Sequence, residues 1–195
     1  ESGGQSGAGD THADSPHRMG ATIARARTSV QRAGQAPRAR RKRMAMRYFL
    51  DTEFNGFGGA LLSLALVPDD GEEFYVTLGC DDAIETWVET NVIPFLDHVP
   101  FALQSPRMKR ADAAEAVMQY LSPDNDPLLV ADWPEDIAQF CNLLVTGPGM
   151  MTPVPSLAFR LLRLPGFSTA ANSAVPHNAL HDARALRDHV CTVLE

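Results

Sequence analysis

At 195 residues, 45% of them hydrophobic, the chain can bury one full core but not two comfortable ones. Its formal charge of −7 is unevenly spread: residues 1–45 hold nine Lys/Arg against three acids, so residues 46–195 carry 8 basic and 21 acidic groups, a net of about −13. That acidic body argues against a protein that grips a polyanion by basic patches alone. The scattered Cys80, Cys141 and Cys191 argue against a disulfide framework or thiolate zinc site, and no apolar run approaches the roughly 20 residues of a membrane-spanning helix.

Residues 1–45 are Gly, Ser, Ala, Gln and Arg with almost no large hydrophobics. Such a segment cannot bury enough surface to offset its ordering entropy, so a disordered basic tail is expected. Arg38–Arg43 either contacts phosphates or is simply solvated. Globular patterning begins abruptly at Met46, which leaves Met44 or Met46 as an alternative start of the native chain.

Residues 46–195 then read as one domain. Tyr48-Phe49-Leu50 runs into Asp51-Thr52-Glu53-Phe54 and a turn at Asn55-Gly56, the pattern of a short buried strand. Residues i and i+2 of a strand share a face, so Asp51 and Glu53 point the same way. Two like charges that close repel, and a cation between them lets both ionise; Mg²⁺ or Mn²⁺ suits oxygen ligands. A solvated pair at a strand end is the other reading. Ala60–Val67 is apolar and strand-length, Asp69-Asp70-Gly71 signals a hairpin, and Glu72–Leu78 alternates, which predicts an antiparallel three-strand meander.

Helices follow. Asp82 and Glu85 have the spacing of a capping box ahead of a helix over Ala83–Val92, with Ile84, Trp87, Val88 and Ile93 on roughly one face before Pro94. Ser105-Pro106 reads as an N-cap and first helical residue for a helix to Leu121. Pro127–Ala131 predicts a strand ending at Asp132, and Trp133-Pro134 opens a helix to about Val145. Met150–Pro155 reads as loop, Leu157–Leu164 as a strand, and Gly166–Val175 as a loop of the kind found near active sites. Ala179–Leu194 is the last helix, with Leu180, Ala183, Leu186 and Val190 inward. The sum is an α/β fold: a mixed sheet, a meander plus parallel strands, flanked by helices.

Parallel strands bring their ends to one sheet edge, where three acidic neighbourhoods would meet: Asp51/Glu53, then Asp132/Asp136, then His177 and Asp182. Asp51-Thr52-Glu53, an apolar strand with an Asp on the next helix, and His177-x-Ala179-x-x-Asp182-Ala183 together resemble the DEDDh group of 3′–5′ exonucleases. The opening Arg47–Phe54 is most similar to the small bacterial and phage 3′–5′ exoribonucleases. The resemblance covers about residues 46–194. It implies a ribonuclease H-like fold, two Mg²⁺ or Mn²⁺ ions held by Asp51, Glu53, Asp136 and Asp182, and His177 as the proton acceptor. It also implies a single-stranded RNA substrate with DNA as the alternative, and a homodimer; the scattered cysteines suit a reducing cytoplasm.

The middle motif departs from that family, which carries Asn where this chain has Asp132. That alignment makes Asp136 the metal ligand, with Asp132 as the alternative, and leaves Asp132 an added charge that tightens metal binding or shifts nucleotide contacts. Thr52, Phe54, Trp133 and Asp132 are the candidate substrate contacts, Phe54 and Trp133 as surfaces for a base or as core and cap residues. His177 and His181 also have the i, i+4 spacing of a zinc pair, but Asn178 stands where a zinc protease needs Glu. His181 and His189 read as surface or core-edge residues, and Arg184 and Arg187 as partners of Asp188 or solvent. A DNA exonuclease and a non-catalytic nucleic-acid-binding module are the competing functions.

Overall fold

A computed structural model of the chain describes residues 45–193. The expectations for the tail, Ala45 excepted, lie outside the described residues. In chain order the elements are β1 (Arg47–Phe54), β2 (Leu61–Pro68), β3 (Phe74–Thr77), α1 (Thr86–Asn91), α2 (Arg110–Leu121), β4 (Leu128–Ala131) and α3 (Pro134–Leu144). These are followed by β5 (Val145–Gly147), β6 (Met150–Met151), β7 (Ala158–Leu161), α4 (Thr169–Asn172) and α5 (Ala179–Val193).

Five strands form one sheet in the order β3-β2-β1-β4-β7. β1, β2 and β3 pair antiparallel, and β4 and β7 run parallel to β1. This is the expected meander plus parallel strands, a ribonuclease H-like α/β arrangement. β1 lies at the centre and six of its eight residues are buried, as expected of a strand covered on both faces.

Successive residues of β1 serve opposite layers. Tyr48 and Leu50 pack with Ala113, Val117 and Leu121 of α2 and Phe140 and Leu143 of α3. Phe49 packs with Leu180, Ala183, Leu186 and Val190 of α5. The same alternation carries on past the apolar run. Asp51 and Glu53 continue the face that meets α5, while Thr52 continues the face that meets α3. In the parallel pairing Phe49 is opposite Val130, so Asp132, two residues on, comes level with Asp51.

Several predicted boundaries move. The Asp82/Glu85 capping box does not form: α1 begins at Thr86, and its N-cap Glu85 makes no side-chain cap bond. The Glu85 N–H is instead taken by the Asn55 side chain at 2.8 Å. Of the residues expected on one face, Val88 is buried while Trp87 is 55% exposed. Ser105-Pro106 does not start α2 either. Met108 is bound strand-fashion, its N–H donating to Thr77 O and its carbonyl accepting from Gly79 N, so the helix waits until Arg110. Within the expected loop, Met150–Met151 pairs with Val145–Gly147 as a small hairpin around Gly149, whose φ is 69°. Within the other, Ser168 Oγ accepts from Ala171 N and caps the single turn of α4. No helix among the described residues is long and apolar enough to cross a membrane.

Candidate metal centre

The carboxylates expected to converge do so, and the reason lies in the strand register. Asp51 and Glu53 leave β1 toward α5, whose first turn carries Asp182. Asp136 sits in the first turn of α3, where its Oδ1 accepts from both Thr52 N (3.0 Å) and Thr52 Oγ1 (2.7 Å). Asp51, Glu53, Asp136 and Asp182 are 8%, 9%, 3% and 4% exposed, too little to be a solvated pair at a strand end.

Oxygen or nitrogen atoms of Glu53, His177 and Asp182 lie within 4.8 Å of one another, as do those of Asp51, Asp132 and Asp136. The two triplets share one cleft of about 610 Å³. Its lining also includes Thr52, Phe54, Phe57, Glu85, Trp87, Trp133 and Phe167, and no Lys or Arg among the described residues.

Without a cation, these groups suppress one another's ionisation. Burial pushes the Asp51 carboxyl well above the usual carboxylate range, and Asp136, Asp182, Glu53 and Asp132 push it further. Burial, then Asp182 and Asp136, raise Glu53 to about 8. Asp136 is raised by burial although the Thr52 hydrogen bonds pull it back. Asp132 is raised mainly by burial. Asp182 is raised by burial and eased by Ser173 and His177. No aligned hydrogen bond joins Ser173 to it, however: Ser173 Oγ and Asp182 Oδ1 are both buried without a partner.

A buried carboxylate oxygen with nothing to accept from is expensive unless a ligand meets it. Hard oxygen donors in this number, with one imidazole beside them, match Mg²⁺ or Mn²⁺. The residues present therefore fit the expected pair of divalent ions.

Thr52, a candidate substrate contact, is 5% exposed at the cleft wall, and its hydroxyl donates to Asp136, so it positions a carboxylate. Asp132, a candidate substrate contact and the alternative metal ligand, has a carboxylate oxygen within 4.8 Å of those of Asp51 and Asp136. The zinc pair does not exist: His177 precedes the helix, while His181 turns its Nε2 to the carbonyl of His98 at 2.9 Å. His189 stacks on Phe167, ring centroids 4.1 Å apart. Arg184 pairs with Glu73, and Arg187 with Asp188 and Glu73.

Phe54 and Trp133 line the cleft as expected, with Trp133 51% exposed. Phe57, 83% exposed, joins them and was missed. Its signal was an aromatic set in the turn between Gly56 and Gly58, both at positive φ, where nothing can bury it. Glu85, Trp87 and Phe167 were missed because α1 and α4 close over the cleft from distant parts of the chain. No protein-family model matches the chain, and no curated protein matches it.

Proposed function

We propose that the chain is a metal-dependent 3′–5′ exoribonuclease that hydrolyses single-stranded RNA ends to nucleoside 5′-monophosphates. One observation carries the reading: four buried carboxylates and a histidine from three separate stretches of chain meet in a cleft that no Lys or Arg among the described residues lines. Asp51, Glu53, Asp136 and Asp182, with Asp132 beside them, would hold two divalent ions. Bound there, such ions offset the charge of a phosphodiester and make water a stronger nucleophile at neutral pH.

The protein's own groups do the rest. His177 accepts the proton of the attacking water, imidazole being the side chain with a pKa nearest neutrality. The water oxygen bonds to phosphorus, the bond from phosphorus to the 3′ oxygen breaks, and that oxygen takes up a proton. Phe54, Phe57 and Trp133 offer faces on which bases stack, a mode of binding indifferent to sequence. Cys80, Cys141 and Cys191 form no disulfide among the described residues, in keeping with a reducing cytoplasm.

The test is a 5′-labelled oligoribonucleotide with Mn²⁺. A ladder shrinking from the 3′ end, abolished by chelator and by Asp51→Ala, is the expected result. Equal cutting of the matched deoxyoligonucleotide would shift the reading to a DNA exonuclease. No cutting of either would leave a binding module.

A further inference from the structure

His177 lacks the support a general base ordinarily has. Its φ is 60°, a left-handed conformation that a residue with a Cβ adopts only when its surroundings impose it. Its N–H donates to Asp182 Oδ2 at 3.2 Å, which anchors the backbone and not the ring. Catalytic imidazoles are usually oriented by a hydrogen bond to the second ring nitrogen. Among the described residues no hydrogen bond reaches either nitrogen of His177. The ring contact it does have is with Trp87, edge to face, centroids 5.0 Å apart and planes at 82°.

Trp87 in turn rides on α1, six residues long and too short to hold its own shape. Both ends of that segment are tied down. At the start, Asn55 accepts from Glu85 N and donates to Ala83 O at 2.9 Å. Beyond the end, Asn178 Nδ2 donates to Phe95 O at 2.7 Å. Asn178 is fully buried, and its Oδ1 accepts from Leu180 N at 3.1 Å and His181 N at 3.4 Å as the cap of α5. One side chain, next to His177 in sequence, thus both starts the helix that carries Asp182 and holds the segment that carries Trp87.

We propose that Asn178 and Trp87 are positioning residues for His177: Asn178 fixes the α1 segment, and the Trp87 ring, nearly perpendicular to the imidazole, sets the angle of the imidazole toward the acids. The inference rests on the exonuclease reading. It also sets Trp87 apart from Phe54, Phe57 and Trp133, which face the substrate's bases.

The experiment uses the full chain with Mn²⁺ and an oligoribonucleotide. Asn178→Ser keeps an oxygen to cap α5 and removes the amide donor to Phe95. Trp87→Leu removes the aromatic ring, and Trp87→Phe keeps one. The chain has two tryptophans, so in a Trp133→Phe background Trp87 fluorescence reports its own setting without reference to activity.

Asn178→Ser and Trp87→Leu should each lower kcat by roughly ten- to a hundredfold with KM unchanged, and Trp87→Phe should restore most of the loss. Asn178→Ser should shift the Trp87 emission to the red. The stabilisation by Mn²⁺ should persist in all three, since no ligand is touched. A rise in KM at constant kcat in Trp87→Leu would overturn the proposal and make Trp87 a base platform. An unchanged Trp87 emission in Asn178→Ser would overturn the link between the two. Should Asn178→Ser unfold at assay temperature, Trp87→Leu, altered at an exposed side chain, still decides by its kcat. A wild-type protein that cuts nothing would sink the exonuclease reading and this inference with it. Failure of the inference alone looks different: the wild type cuts and both variants keep its kcat.

Discussion

Helix α5 contributes to two clusters of carboxylates that fare in opposite ways. In the cleft, Asp182 joins acids that burial and mutual repulsion push upward. Across the helix, Glu73 is held below its ordinary value, chiefly by the hydrogen bond from Arg184 and against the effect of its own burial. Arg184 Nε reaches Glu73 Oε1 at 2.9 Å. The two environments lie two residues apart in sequence, but a helix turns about 100° per residue, so Arg184 faces away from Asp182. The fold has arginines within reach and aims them elsewhere. Charge compensation at Glu73 comes from Arg184 and Arg187, whereas no Lys or Arg among the described residues lines the cleft.

The largest effect should come from breaking the cleft. Asp51→Asn removes the carboxylate that feels all four of its neighbours. Nuclease activity should fall at least about a thousandfold, and the rise in Tm on adding Mn²⁺ should shrink or vanish. The metal-free Tm should increase, because a buried repulsion has been deleted. Thermal melts with chelator and with Mn²⁺ check this. An Asp51→Asn protein that kept the full Mn²⁺ shift would show that the ions bind elsewhere.

A smaller effect follows from the neighbour that aims a ligand. Thr52→Val keeps the side chain's shape and deletes the 2.7 Å hydrogen bond to Asp136. Groups that orient a ligand are worth roughly 10- to 100-fold in metal affinity, so Mn²⁺ binding by calorimetry should weaken by that much with the fold intact. An unchanged affinity would remove Asp136 from the ligand set.

The parts of this contrast legible in the sequence are those fixed by local period. β1, β4, α3 and α5 follow from apolar spacing, and with them the faces on which Asp51, Glu53, Asp136 and Asp182 lie. What could not be read depended on tertiary bonds that override local signals. The Asp82/Glu85 box gave way because Asn55, 30 residues before Glu85, already satisfies the donor. Ser105-Pro106 gave way because Met108 is held by the edge of β3. The partner of Glu73 was equally hidden, since Arg184 lies 111 residues away and Asp188 offered a nearer choice.

Acidity should separate the two regions next. An acid whose folded pKa is raised binds its proton more tightly in the folded chain, so its contribution to stability falls as pH rises from the unfolded value to the folded one. For the cleft that window runs from about pH 4, where unfolded carboxylates ionise, to about 8, the value reached by Glu53. In chelator the Tm should therefore decline between pH 5.5 and 8, and saturating Mn²⁺ should flatten or reverse the decline. A metal-free Tm that climbed across that range would contradict the cleft's electrostatics.

Glu73 runs with the opposite sign and the smallest amplitude. Its folded pKa is lowered, so its pairing stabilises the protein fully above the ordinary carboxylate value and is lost as pH falls through the folded one. The Glu73 and Arg184 side chains are 19% and 26% exposed, so solvent screens the pair, and Glu73→Gln should cost no more than about 1 kcal/mol. The loss should shrink in high salt, which screens the same attraction, and denaturant melts at pH 7 in low and high salt measure both. Because this pair lies on the far side of α5 from Asp182, kcat and Mn²⁺ affinity should stay at wild-type values. A Glu73→Gln protein that lost metal affinity as Thr52→Val does would mean that α5 transmits the state of one cluster to the other, and the two could no longer be treated as independent.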